Sequence, residues 1–200
     1  MRKINILLKV VSIIIGLVVG INQVIHGFPT GEIIISFSLI IIVLMPNILR
    51  RFNFKITPSI EFIYLLFIFV AQTLGSVLNF YQAFYFYDKA VHFLSGVLDS
   101  FVAIFILVKF HKYNEKNLAF NCVMIIFTVM AIAGFWEIFE YTGNLLLGGD
   151  AQKVVATGVN DTMTDIIVAL LGSILVCISY LYEQENNKGM LIERFITEIK

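Results

Sequence analysis

Leu118–Tyr141 reads LAFNCVMIIFTVMAIAGFWEIFEY, and no charged residue interrupts it before Glu137. A helix of about 20 residues crosses the ~30 Å hydrocarbon core of a bilayer, so this run is long enough to span one. Five more apolar runs lie along the chain, roughly at Val10–Ile25, Ile33–Leu49, Ile60–Phe80, Ala90–Val108 and Asp161–Tyr182. Lone strands in lipid would leave backbone N–H and C=O groups without partners, so each run is read as a helix. The expected fold is all-α: a polytopic transmembrane helical bundle of about six spans, forming a single transmembrane domain over residues 1–200.

Composition agrees. Of the 200 residues, 59% are hydrophobic and 14% charged, with a mean hydropathy of +0.90. A soluble domain carries roughly 25% charged residues and could not hide this much apolar surface. The lipid bilayer is therefore the first partner. Fourteen basic and fourteen acidic residues balance. With no basic stripe, nucleic acid is not expected as a partner. Cys122 and Cys177 fall inside apolar runs and form no CxxC pair, so no disulfide framework is expected. Arg2, Lys3 and Lys9 precede the first apolar stretch in the manner of a signal peptide. No A-x-A-like cleavage site follows, so the segment is read as an uncleaved first span.

Short turn-like connections separate the runs, the longest being Leu147–Asn160 with Gly148, Gly149 and Gly158. Lysine and arginine cluster at alternate connections. Arg2, Lys3 and Lys9 mark the N-terminus, then Arg50, Arg51 and Lys55, then Lys109, Lys112 and Lys116, then Lys188, Arg194 and Lys200. The intervening connections carry at most Lys89 or Lys153. The positive-inside rule then places both termini in the cytoplasm, in a bacterial plasma membrane. Phe80, Tyr81, Phe84, Tyr85, Phe86, Tyr87 and Trp136 would form an outer aromatic belt. Residues 190–200 carry an apolar stripe at Leu191, Ile192, Phe195, Ile196 and Ile199, as expected of an amphipathic helix lying on the inner surface.

Ionisable residues in spans cost about 2.5–3.5 kcal/mol each at the membrane centre, so their positions carry information. Asp88 and His92 are four apart and share a helix face, which Gly96 continues and opens to close approach. Glu137 and Glu140 share a face of the fifth span, extended by Asn144. Asp161 and Asp165 share a face of the sixth, with Gly172 further along. In the expected topology all three pairs lie at the outer end. Adjacent carboxylates in a low dielectric need a shared proton, a bound cation or a positive side chain. Oxygen ligands with one histidine suit Zn, Mn, Mg or Ca, so Asp88, His92, Glu137, Glu140, Asp161 and Asp165 form the expected metal set. Of these, His92, Glu137, Glu140 and Asp165 are the first-choice ligands.

Structural roles compete with ligation at each position. Asp161 could cap the sixth helix, Asp88 could complement the dipole of the fourth, and His92 could be a hydrogen-bonded packing residue. Glu137 and Glu140 could keep their heads in interfacial water, and Lys153 could fold back as a structural counter-ion. Asp99, about 16 Å below Asp88 on the same helix, needs a partner or a proton. Asn22 with His26, and Gln72 with Ser76 and Asn79, are expected to make interhelical hydrogen bonds.

Tyr87-Asp88-Lys89-x-x-His92-Phe93-x-x-Gly96, Glu137-x-x-Glu140 and Asn160-Asp161-Thr162-x-x-Asp165 before Gly172 together resemble the YjdF-like bacterial membrane proteins. The resemblance covers roughly Phe80 to Tyr182 and implies a bacterial cytoplasmic membrane. It implies no reaction, because that family is a domain of unknown function. Where the family has G-D-x-W-D, this chain has Gly158-Val159-Asn160-Asp161 and lacks the tryptophan. The D-K-x-x-H start also resembles, more distantly, VanZ-like membrane proteins.

Three functions fit these residues. A divalent-metal-dependent membrane hydrolase would act on a lipid or other small-molecule substrate, with a metal-activated water. A proton- or cation-coupled transporter would use Asp99 as a relay; the lack of an inverted repeat counts against it unless a homodimer supplies the symmetry. A non-catalytic membrane subunit would pair its acidic face with a partner's cations.

Overall fold

The structure, a computed structural model, describes residues 1–147, 154–186 and 191–200. It is helical throughout, with no strand among the described residues. Among the described residues, six helices are long and apolar enough to cross a membrane: Arg2–Ile25, Thr30–Arg51, Pro58–Val77, Tyr87–Lys109, Leu118–Leu146 and Asn160–Glu185. In chain order the elements are α1 (Arg2–Ile25), α2 (Thr30–Arg51), α3 (Pro58–Ile68), a π-helical continuation of α3 (Phe69–Val77) and α4 (Phe80–Ala83). Then follow α5 (Tyr87–Lys109), α6 (Leu118–Leu147), α7 (Val154–Thr157), α8 (Asn160–Glu185) and α9 (Leu191–Ile199). The chain divides into two compact units, Met1–Asp88 and Lys89–Lys200, with the division inside the first turn of α5.

The first unit packs α1, α2 and α3 around Leu39, Val43, Leu65, Ile68 and Val77. Proline at the start of α3 fits there because its missing N–H would be unbonded anyway, and the Thr57 side chain accepts from the Ile60 N–H. Polar side chains tie the helices together. Ser36 donates to Gln23 at 2.8 Å, and Thr73 donates to Ser12 at 3.0 Å. The expected pair Asn22 and His26 instead closes on itself, the imidazole bonding the Asn22 carbonyl at 2.9 Å within α1. At one end of this unit the buried Glu61 carboxylate receives Lys9, both arms of Arg50 at 2.9 Å and the Asn5 amide at 3.1 Å. One acid thus joins three helices, and its lone pairs are occupied, the condition under which a buried charge is tolerable. The π-helical segment shifts the backbone ladder, and the Tyr87 hydroxyl donates to the Val70 carbonyl there at 2.8 Å.

The second unit is organised by two seams. Along α6 the buried residues recur at every fourth position: Asn121, Ile125, Val129, Ala133 and Glu137. Along α8 they include Asp161, Asp165, Ala169, Gly172, Ser173, Val176, Cys177 and Tyr180. The helices are antiparallel. Asn121 donates to the Tyr180 hydroxyl at 2.9 Å, the Cys177 thiol approaches the Cys122 carbonyl at 3.7 Å, and Val129 and Ala133 pack on Ala169. Both cysteines are free thiols.

Helix α5 meets α8 through glycine. A methyl group on Gly96 would lie 2.0 Å from the Ala169 carbonyl oxygen, and one on Gly172 would lie 2.4 Å from the Phe93 carbonyl oxygen. The backbones touch where a side chain could not fit, the small-residue crossing that helix pairs in lipid favour. Helix α9 turns its apolar face inward. Ile192, Phe195, Ile196 and Ile199 are buried, and Phe195 meets Phe101 of α5 edge-on at 5.2 Å. The Glu183 carboxylate accepts from the N–H groups of Ile192 and Glu193 at 3.0–3.2 Å, capping α9 from the end of α8.

Candidate functional site

The first turns of α5 and α8 lie side by side, held in step by the Gly96 and Gly172 crossing two turns further on. Lys89 reaches from α5 to α8, donating to Asp161 Oδ1 at 2.5 Å and to Asp165 Oδ1 at 2.7 Å. Both aspartates are buried, at 6% and 2% exposure, while Lys89 is half-buried. One ammonium therefore sits between two carboxylates that could not both stay charged in a low dielectric without it. His92, one turn along α5, is also buried, and its Nε2 lies 3.8 Å from Asp165 Oδ1.

Asp88 stands one turn before His92 on the same unbroken helix, half-buried. One ligand atom from each of Asp88, His92 and Asp165 falls within 4.8 Å of the other two. The spacing of the motif explains this, because Asp88 and His92 at i and i+4 project from one face and the crossing brings Asp165 up to it.

Glu137 arrives by register. The seams run antiparallel from the Asn121–Tyr180 bond, so each step along α6 is matched by a step back along α8. Counting along the seams points Glu137 toward the Asp165 end of α8; it is buried, at 5% exposure, but like Asp161 and Glu140 it is not part of the Asp88, His92 and Asp165 group. Glu140 takes a different place: half-buried, it accepts from the Trp136 indole N–H at 2.8 Å. Asp161 lies inside the first turn of α8, where Val159 is the N-cap, so it faces Lys89 rather than capping the helix. Lys153 lies outside the described residues.

Sequence reasoning placed Lys89 near the acids, within the Asp88-Lys89-x-x-His92 motif, but did not make it a member of the site. Its signal was present: it is three residues from His92, on the helix face turned toward the acids.

The family model described as "Predicted membrane protein (DUF2238)" matches residues 5–186. The chain belongs to this family. The membership reaches across all six spans, well beyond the last three that carry the motif resemblance. An uncharacterized protein of Thermotoga maritima is 32% identical over 107 residues, 52% of this chain and 53% of its own length. The inner membrane protein YjdF of Escherichia coli K12 is 32% identical over 95 residues, 46% of this chain and 44% of its own. The matched stretch thus spans about half the length of each of these relatives. No solved structure matches. Six apolar helices and DUF2238 membership make the chain a multi-pass protein of the plasma membrane, as the resemblance to YjdF-like proteins implied.

Proposed function

We propose that this DUF2238 chain holds a divalent metal ion at Asp88, His92 and Asp165 and acts as a metal-dependent membrane hydrolase on a lipid or envelope-linked small molecule. One observation carries the reading: the three residues each offer a ligand atom within 4.8 Å of the others. Two carboxylates and an imidazole suit Zn, Mn, Mg or Ca. Glu140, which accepts from Trp136, is left outside the set.

A bound divalent ion supplies a water acidic enough to ionise near neutral pH. The chain's own groups do the rest. With the ion held by Asp88, His92 and Asp165, Glu137 would be the carboxylate to take up a proton, while Lys89 keeps Asp161 and Asp165 compensated. The alternation of lysine and arginine supports an outward-facing site with both termini in the cytoplasm. Tyr85 and Phe86, exposed just before α5, belong at the headgroup level from which a lipid substrate would come.

The test is metal content by inductively coupled plasma mass spectrometry. Wild type purified from metal-replete cells is expected to carry about one ion per chain. The His92→Ala/Asp165→Asn variant should carry none, and Glu137→Ala/Glu140→Ala less than wild type. Wild type that is metal-free and takes up none of the four ions on dialysis would overturn the proposal.

A second reading, proton- or cation-coupled transport, rests on Asp99. This half-buried carboxylate midway along α5 has no hydrogen bond or ion pair among the described residues. Asp99→Asn should then abolish ion flux into liposomes; unchanged flux removes that reading.

A further inference from the structure

At the other end of the second unit, the connection between α5 and α6 and the end of α9 enclose a cleft of about 900 Å³. Lys109, Lys112, Lys116 and Lys200 line it, with His111 beside them and Glu115 as the acidic side chain among the lining residues. Two of the lysines are engaged. Lys109 donates to the Ile199 carbonyl at 2.6 Å, and Lys200 pairs with Glu115 at 2.5 Å. That pairing holds the Glu115 carboxyl below the usual carboxylate range. Lys112 and Lys116 have no ion pair among the described residues, so the cleft carries positive charge that its own acid does not balance.

Hydrogen bonds link the backbone behind the cleft to α6 and α8. Asn121, fully buried, accepts from the Asn114 N–H at 3.1 Å and donates to the Asn114 carbonyl at 2.8 Å. It also donates to Tyr180, whose hydroxyl meets that of Tyr113 at 2.9 Å. Burial and this contact push the Tyr113 hydroxyl up, so it stays neutral. Asn117 caps α6 by accepting from the Phe120 N–H at 3.0 Å. The opposite wall is α9, docked by Phe195 and by the Glu183 cap.

Depth identifies the ligand class. The 23 residues of α5 extend about 34 Å, slightly more than the ~30 Å core, and Lys109 is the last of them. The cleft therefore opens in the headgroup layer, where anionic headgroups are concentrated and each nearby lysine contributes about 1 kcal/mol of attraction.

We propose that this cleft is a binding site for an anionic phospholipid headgroup, with Lys112 and Lys116 as the phosphate-holding residues. A soluble phosphate compound shares that chemistry, and the experiment separates the two sources. Detergent-purified full-length protein is titrated by native mass spectrometry with dioleoylphosphatidylglycerol, dioleoylphosphatidylcholine and inorganic phosphate. Wild type should retain phosphatidylglycerol at least about tenfold better than phosphatidylcholine. Inorganic phosphate at millimolar concentration should leave the bound lipid in place. Lys112→Gln/Lys116→Gln should weaken phosphatidylglycerol binding about 30-fold, while Lys55→Gln, a basic residue of the first unit, leaves it unchanged. Lys112→Arg/Lys116→Arg should keep most of the affinity. Equal retention of the two lipids by wild type overturns the proposal without recourse to any variant. So does displacement of the lipid by phosphate, or a double glutamine variant with undiminished preference.

Discussion

Replacing Lys89 by methionine keeps the aliphatic stem and removes the ammonium that joins α5 to α8. Asp161 and Asp165 would then face each other's charge at 6% and 2% exposure, having lost contacts of 2.5 and 2.7 Å. Breaking a buried ion pair from one side costs about 3–5 kcal/mol, because the remaining charge stays desolvated. The Lys89 side chain is 26% exposed, so water already screens part of the interaction, and the lower end, about 3 kcal/mol, applies. For a chain of this length each kcal/mol moves the melting temperature by roughly 2–4 °C, which gives a drop of about 6–12 °C. Scanning fluorimetry in detergent, with metal chelated, measures it. Adding Asp161→Asn and Asp165→Asn to Lys89→Met removes the stranded charges, and the triple variant should recover more than half of the loss. A single variant that melts within about 2 °C of wild type would refute the reasoning. So would a triple variant no more stable than the single one.

The packing of the second unit sets three further outcomes. Gly96→Ala forces α5 and α8 apart, since the new methyl group would sit 2.0 Å from a backbone carbonyl; a loss of at least about 1–3 kcal/mol is expected in the same melting assay. Gly134→Ala on α6, where nothing lies within 4 Å, should instead be neutral or add up to about 1 kcal/mol. Equal melting temperatures for the two variants would remove the crossing as an explanation. Glu183→Ala deletes the cap of α9, so amide exchange in Leu191–Ile199 should quicken by about tenfold, as for the loss of ~1–2 kcal/mol of capping; unchanged exchange would show that α9 is held by its apolar face alone.

The membrane-crossing helices were legible because apolar length is a local property and lipid permits few alternatives. Gly96 and Gly172 were legible for a related reason: a helix face can be counted along one chain. What closes the acidic face was not. Lys89 stands beside Asp88 in sequence, yet its partners Asp161 and Asp165 are 72 and 76 positions away, and only the register of two helices brings them to it. The same applies to Glu61, whose partners Lys9 and Arg50 were read only as topological charges and come from two other helices. Glu137 and Glu140 share a face by spacing, but the α6 seam includes only the first, and Trp136 engages the second. Spacing along a helix fixes a direction; the neighbour met there depends on how helices dock.

The contact between α5 and α8 has a consequence for how this stretch of chain can change length. Lys89 precedes Gly96 by seven residues, and Asp165 precedes Gly172 by seven. Seven residues are nearly two full turns, so on each helix the charged group and the glycine look the same way. Inserting or deleting one residue inside either interval would swing its charge about 100° around the helix while the glycine stayed at the crossing. Gaps between this chain and other DUF2238 members should therefore fall outside residues 89–96 and 165–172, while the connections before α5 and before α8 are free to lengthen. The two intervals act as matched rulers: a change of length in either breaks the same contact as a change of side chain.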